Sequence, residues 1–274
     1  MEYWNHIYSR FDPVAFEVGS VSVHWYGLMY ALAFITAIMA AKWIVKKDNI
    51  PVTDEQLDSY IWWVEIGVIL GARLGYILFY DLNTAYYLTN PWQIFNPFNS
   101  DGQFIGISGM SYHGAVIGFI IASYLWYRKY KISFGIMIDI AAIAVPLGYV
   151  FGRIGNFLNQ ELIGRVTDSS FAIYVDGVLR HPSALYEAFL EGLLVFIILY
   201  MVRKYKTFNG QLGLIYVLLY SVMRTIAEFF RQPDPQLGFL MGTDWLTMGI
   251  LISVLFSVSI LFVLVYLYKK NKVY

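Results

Sequence analysis

Several residues able to do chemistry sit where the surrounding chain is apolar. Tyr220, Arg224 and Glu228 fall at i, i+4 and i+8, so one helix face carries all three. Glu187 and Glu191 share a face in the same way, with Tyr186 beside them. Arg73, Arg153 and His113 lie within or at the ends of other apolar runs. Ionisable groups in a bilayer are costly unless they are paired or face a wet cavity, so they mark a functional site by default. Arginine presents a planar fork that suits phosphate. A pocket of arginines with a histidine reads as a site for a phospholipid headgroup. The plainer alternative is a buried Arg224–Glu228 ion pair that only fixes helix packing.

The elements that must position these groups are membrane helices. Of the 274 residues, 58% are hydrophobic and 14% charged, against roughly a quarter charged in soluble domains. Aromatics reach 19%, which suits interfacial belts of Trp and Tyr. The net charge of zero gives no reason to expect a nucleic-acid partner. The absence of cysteine excludes a disulfide framework, a thiolate metal site and a cysteine nucleophile, so any thiol in the chemistry comes from the substrate. The four histidines are scattered, and no metal or cofactor motif appears. Residues 1–19 hold Glu2, Arg10, Asp12 and Glu17 and lack the apolar core of a cleavable signal peptide.

A helix needs about 20 mostly apolar residues to cross the hydrocarbon core. Seven stretches qualify: 20–41, 59–80, 107–127, 134–151, 183–202, 212–230 and 245–267. Clusters of three basic residues follow the odd spans: Lys42, Lys46 and Lys47; Arg128, Lys129 and Lys131; Arg203, Lys204 and Lys206; Lys269, Lys270 and Lys272. The positive-inside rule makes those ends cytoplasmic. The expected fold is therefore an all-α polytopic membrane protein, one integral membrane domain over 1–274. Its N-terminus is outside and its C-terminus cytoplasmic. Segments 81–106 and 152–182 then form a small extracytoplasmic head.

This orientation brings the costly residues to one depth. Arg224 precedes Phe230 by six residues, roughly 9 Å at helical rise. Arg73 stands similarly before Tyr80, and His113, Arg153 and Glu187 come near the same level. A polar, partly cationic pocket in the outer half of the membrane is expected. Asp139 and Glu65 fall nearer the cytoplasmic side and read as structural or capping groups. The pairs Gly71/Gly75 and Gly114/Gly118 read as close helix packing.

The most distinctive string runs from Gly152 to Gly164, with Arg153, Asn156, Asn159 and Glu161 between glycines at the outer end of a span. Glycines let a backbone approach a ligand closely, and Asn both donates and accepts. This string resembles the signature of the prolipoprotein diacylglyceryl transferases. The resemblance recurs in order along the chain: His24-Trp25-Tyr26-Gly27, Arg73-Leu74-Gly75-Tyr76, Met110-Ser111-Tyr112-His113-Gly114, His181-Pro182-Ser183 with Leu185-Tyr186-Glu187, and Arg224 with Glu228 to Asp234. Tyr112 stands where the family often has Phe.

The resemblance implies a transferase of the bacterial cytoplasmic (inner) membrane, acting at the outer leaflet. It would move the diacylglyceryl group of phosphatidylglycerol onto the lipobox cysteine of prolipoprotein signal peptides, needing no cofactor. His113 would be the general base, and Arg153 and Arg224 would stabilise the leaving phosphate. Tyr26, Arg73, Asn156, Glu161, Gly164, Tyr220, Glu228 and Arg231 would bind substrate. Rival readings are a transporter, which more often bears polar groups through the full depth or in two matched halves; an intramembrane serine protease using Ser108 or Ser111 with His113, which gives the arginines no task; and a lipid-binding scaffold, which needs no such constellation.

Overall fold

The computed structural model describes residues 2–19, 21–81, 84–98, 109–233 and 238–272. Long helices dominate them: α1 (Trp25–Lys47), α2 (Asp54–Phe79), α3 (Tyr112–Tyr130), α4 (Phe134–Leu158), α5 (Ser183–Tyr205), α6 (Gln211–Glu228) and α7 (Met248–Lys272). Among them α1, α2, α4, α5 and α7 are long and apolar enough to cross a membrane. The other two are shorter, and α6 carries Arg224 and Glu228 on its last turns. Large apolar side chains face outward, among them Leu255, Phe256 and Phe262 of α7. A soluble protein would bury such a surface, whereas a bilayer covers it. The first expected span begins later than expected, because Val21–His24 forms a strand ahead of α1. Positions 20, 107 and 108, residues 99–106 of the expected head and Asp234 lie outside the described residues.

The chain divides into two compact units, Pro51–Phe134 and the remainder, Met1–Ile50 with Gly135–Tyr274. In Pro51–Phe134, Thr53 and Gln56 form a reciprocal capping box that starts α2. Glycines then let α2 and α3 touch backbone to backbone. A Cβ on Gly75 would lie 2.7 Å from the Gly114 Cα, and one on Gly71 would lie 2.8 Å from the Gly118 Cα. Any larger residue would push the helices apart. The Tyr60 hydroxyl lies 3.0 Å from Ser123 Oγ, and Tyr60 meets the buried Trp126 edge-on.

In the larger unit α4 runs through Pro146 and on to Leu158. The expected loop at Gly152–Gly164 is thus half helix, and Arg153 and Asn156 sit on its last turns. Two glycines of α4 pack closely on α1: a Cβ on Gly148 would lie 2.7 Å from Ala33 O, and one on Gly155 would lie 3.0 Å from Met29 Cβ. Within α5, residues Ala188–Leu194 form a π-helical stretch, an arrangement that recurs at functional sites. The start of α6 is tied to α4 by Asp139. Its carboxylate accepts from the backbone N–H of Gly210 (3.0 Å), Leu212 (2.8 Å) and Gly213 (3.4 Å). These are unsatisfied first-turn donors of a helix, met here by a side chain from another helix.

A small head crowns this unit. Strands β1 (Val14–Val18) and β2 (Val21–His24) form one antiparallel hairpin, and β3 (Ile173–Val175) and β4 (Val178–Arg180) form another. Asp176 and Gly177 turn the second with φ of 50° and 78°, as a two-residue type I′ turn requires. The head's core is Phe157, Ile173, Val175 and Ala184, covered by Trp4, Tyr8 and Phe11. Trp4 Nε1 donates to Phe171 O (2.9 Å) and Asn5 Nδ2 to Ala172 O (2.6 Å). The N-terminal residues are therefore part of the head, alongside the expected 152–182 segment.

Candidate functional site

Three arginines from separate parts of the larger unit meet at one carboxylate. Arg153 comes from the end of α4, Arg224 from α6 and Arg231 from the segment after α6. Glu187, on α5 just before the π-helical stretch, has no exposed surface. Its Oε2 lies 3.0 Å from Arg153 Nε and 3.4 Å from Arg224 Nη1, and its Oε1 lies 3.7 Å from Arg231 Nη1. Two more acids complete the set. Arg224 Nη2 is 2.9 Å from Glu228 Oε2, one turn on, and its Nη1 is 3.6 Å from Glu191 Oε1. Three guanidiniums thus face three buried carboxylates, and these six groups balance in charge. Balance is what burial demands, since an unpaired charge here would be severely destabilising.

Tyr149 joins the halves of this cluster. Its hydroxyl donates to Glu191 Oε2 and accepts from Arg153 Nε at 2.7 Å. Its ring meets Tyr220 edge-on, with centroids 5.9 Å apart. Arg153 Nη1 donates to Asn156 Oδ1 (3.2 Å), and Asn156 Nδ2 donates to Glu161 Oε1 (2.7 Å). Arg153 is therefore held from three sides. Among the described residues, Glu187 Oε1, Glu191 Oε1 and Glu228 Oε2 are buried without a hydrogen-bond partner. The cluster is joined by charge contacts that leave acceptor capacity unused. Beside it, Tyr26, Tyr30, Tyr149, Gly152, Arg153 and Asn156 line an open cleft of about 190 Å³ between α1 and α4.

The loop after α4 is strained and tightly held. Gln160 and Leu162 both take φ of 56°, which costs a bulky side chain of order 1–3 kcal/mol. Gln160 Nε2 donates to Tyr8 O (3.0 Å), and Ser183 Oγ donates to Leu162 O (2.7 Å). Gly164 follows, pairing with Arg231 as an isolated bridge. A Cβ there would come within 2.8 Å of Phe230 O and of His181 Cβ. Only glycine lets this segment lie against the chain that carries Arg231. Arg165 adds a cation at the end of α6, donating to Glu228 O (3.1 Å) and Arg231 O (2.9 Å). Burial beside Tyr186 and Phe230 pushes the His181 imidazole below its ordinary value.

Of the residues singled out in the sequence, Arg153, Arg224, Glu228 and Arg231 come together directly. Tyr26, Asn156 and Glu161 join through the cleft and the Arg153 contacts, Tyr220 through Tyr149, and Gly164 through Arg231. Arg73 and His113 belong to Pro51–Phe134. There the Arg73 guanidinium donates to Ile94 O and Gly109 O and lies 5.6 Å from the Tyr87 ring centroid. His113 is exposed in the first turn of α3, its Nδ1 3.3 Å from the Tyr80 hydroxyl. Ser111 caps α3 by accepting from Gly114 N (3.2 Å), and Ser108 lies outside the described residues. Sequence reasoning put Glu187 at the depth of the expected pocket and Glu191 on its face but gave neither a role at the site, and it missed Tyr149 and Arg165. Tyr149 could have been found as the residue one helical turn before Arg153.

The family model described as Prolipoprotein diacylglyceryl transferase matches residues 13–266. A protein of Aliarcobacter butzleri is 65% identical over 255 residues, 93% of each chain. One of Wolinella succinogenes is 60% identical over 269 residues, 98% of each chain. One of Campylobacter lari is 56% identical over 273 residues, 99% of this chain and 100% of the relative. All three are named phosphatidylglycerol–prolipoprotein diacylglyceryl transferase. Matched by that family model over most of its length and by near full-length relatives at 56–65% identity, the chain belongs to the prolipoprotein diacylglyceryl transferase family.

Proposed function

We infer that this protein transfers the diacylglyceryl group of phosphatidylglycerol to the lipobox cysteine of prolipoproteins. The observation that carries the reading is the convergence of Arg153, Arg224 and Arg231 on Glu187, with Arg153 lining the open cleft. The near full-length relatives of that name support it.

The cysteine sulfur attacks the glycerol carbon that bears the phosphate. A carbon–sulfur bond forms, the carbon–oxygen bond to phosphate breaks, and glycerol phosphate leaves with the bonding pair. The thiol proton goes to a base, and a free thiol near pKa 8.5 gains from that help. His113 takes this role. Charge grows on the departing phosphate oxygen, and Arg153 and Arg224 stabilise it. A well-aimed donor of this kind is worth on the order of 3 kcal/mol. The carboxylates hold the arginines until the substrate's own negative charge arrives. Tyr26 and Asn156 line the cleft that takes the headgroup, Glu161 orients Asn156, and Gly164 and Tyr220 set the positions of Arg231 and Tyr149. Arg73 serves substrate binding within its own unit.

The protein is further proposed to cross the bacterial inner membrane seven times, N-terminus outside, with the site toward the outer leaflet. The basic clusters support this, because Lys46 and Lys47, Arg128 and Lys129, and Arg203 and Lys204 all end odd-numbered helices.

The test uses purified protein in phosphatidylglycerol liposomes with a synthetic lipobox peptide, read by intact mass. The expected product is a peptide carrying one diacylglyceryl group, with glycerol phosphate released and no gain on a Cys→Ser peptide. An unmodified cysteine peptide beside folded protein contradicts the reading.

A further inference from the structure

We propose that an open cleft on the head holds a phosphomonoester, the glycerol phosphate product, on its way to water. The inference rests on the transferase reading above. The cleft measures about 340 Å³, and its polar wall is Arg180, Arg231 and Gln232, with Ile163 and Pro233 beside them and Asp176 on the hairpin turn. It shares none of its lining with the cleft at Tyr26, which opens between membrane helices.

Arg231 connects it to the reacting cluster. One face of its guanidinium lies 3.7 Å from Glu187 Oε1, and Glu187 Oε2 contacts Arg153 and Arg224. Guanidiniums therefore run in sequence from Arg153 and Arg224 through Arg231 to Arg180. Arg180 is fixed: it ends β4, and its Nη1 donates to Gly164 O (3.1 Å) and Gln232 Oε1 (3.4 Å). The strained loop that positions Gly164 also forms the cleft wall at Leu162.

The chemistry of the product fits this path. A phosphomonoester carries about −1.5 to −2 charge near neutral pH, so it cannot leave through lipid. The planar arginine fork binds such a group at two oxygens. The Asp176 carboxylate opposes long retention, as a release site requires. A lipid headgroup has the same phosphate but carries acyl chains that must stay in the membrane, whereas this cleft opens on the head.

The experiment measures inhibition of the wild-type liposome reaction by added glycerol phosphate, then repeats it with Arg180→Gln and Arg180→Lys. The inhibition constant is expected to rise about fivefold in Arg180→Gln and about twofold in Arg180→Lys, which keeps charge but loses the fork. The KM for phosphatidylglycerol should stay at the wild-type value. Wild-type enzyme insensitive to glycerol phosphate, unchanged inhibition constants in both variants, or a rise in KM in place of the inhibition constant would overturn the proposal. A wild-type protein that does not modify the peptide at all would instead defeat the transferase reading beneath it.

Discussion

Asp139 and Glu187 are both buried acids on apolar helices, 2% and 0% exposed, yet they are held in opposite ways. Asp139 accepts from three backbone N–H groups at the start of α6 and from Lys206 Nζ at 3.0 Å. Its partners are mostly main chain, and main chain cannot turn away. The Glu187 carboxylate pairs with guanidiniums borne by three separate segments, and among the described residues its Oε1 has no hydrogen-bond partner. Those side chains can exchange one anion for another. An acid locked by backbone donors fixes architecture, whereas we propose that an acid held by side-chain cations keeps them ready for a substrate's charge. Burial alone does not separate structural from functional carboxylates, but the identity of their donors does.

The largest effect expected from breaking the Glu187 arrangement comes from Arg224→Ala. Turnover should fall about 10²- to 10³-fold, measured as peptide mass gain per folded molecule. Full turnover in that variant removes the phosphate-clamp role. Asp139→Asn sharpens the other side. Its amide would turn a donor toward backbone donors and lose on the order of 1–3 kcal/mol. Thermal unfolding in detergent should then move down by several degrees, while the rate per folded molecule stays unchanged. A slowed rate at unchanged stability would place Asp139 with the functional acids. The smallest effect belongs to Lys206→Met. Its side chain is 31% exposed, and the backbone donors to Asp139 remain, so a loss of no more than about 1 kcal/mol is expected. A larger drop in the same melting experiment would mean that the lysine, not the main chain, holds Asp139.

Much of this organisation is legible in the sequence. Apolar length locates the long helices, because lipid-facing segments need little besides hydropathy. The i, i+4, i+8 spacing puts Tyr220, Arg224 and Glu228 on one face, and the glycine pairs foretell the contact of α2 with α3. The place of Asp139 nearer the cytoplasmic side suggests a structural or capping group, but that it meets the first-turn donors of another helix is not written in its own. Hydropathy ends the fourth span near residue 151, but α4 continues to Leu158, with Gly155 packed against Met29 of α1. The place of Glu187 as common partner of three arginines depends on α4, α5 and α6 meeting, which spacing along one helix does not encode. The π-helical stretch has no periodic signature. Trp4, Tyr8 and Phe11 follow neither helical nor strand periodicity, so their cover over Phe157 emerges only in three dimensions.

The most direct test compares single-turnover diacylglyceryl transfer in Glu187→Gln and Asp139→Asn, each normalised to folded protein. The account predicts that Glu187→Gln slows transfer about a hundredfold, the scale expected when catalytic groups shift by an ångström, while Asp139→Asn matches the wild type. Equal rates in the two variants would contradict it, because the carboxylate at the meeting point of the three arginines would then matter no more than the one that anchors a helix.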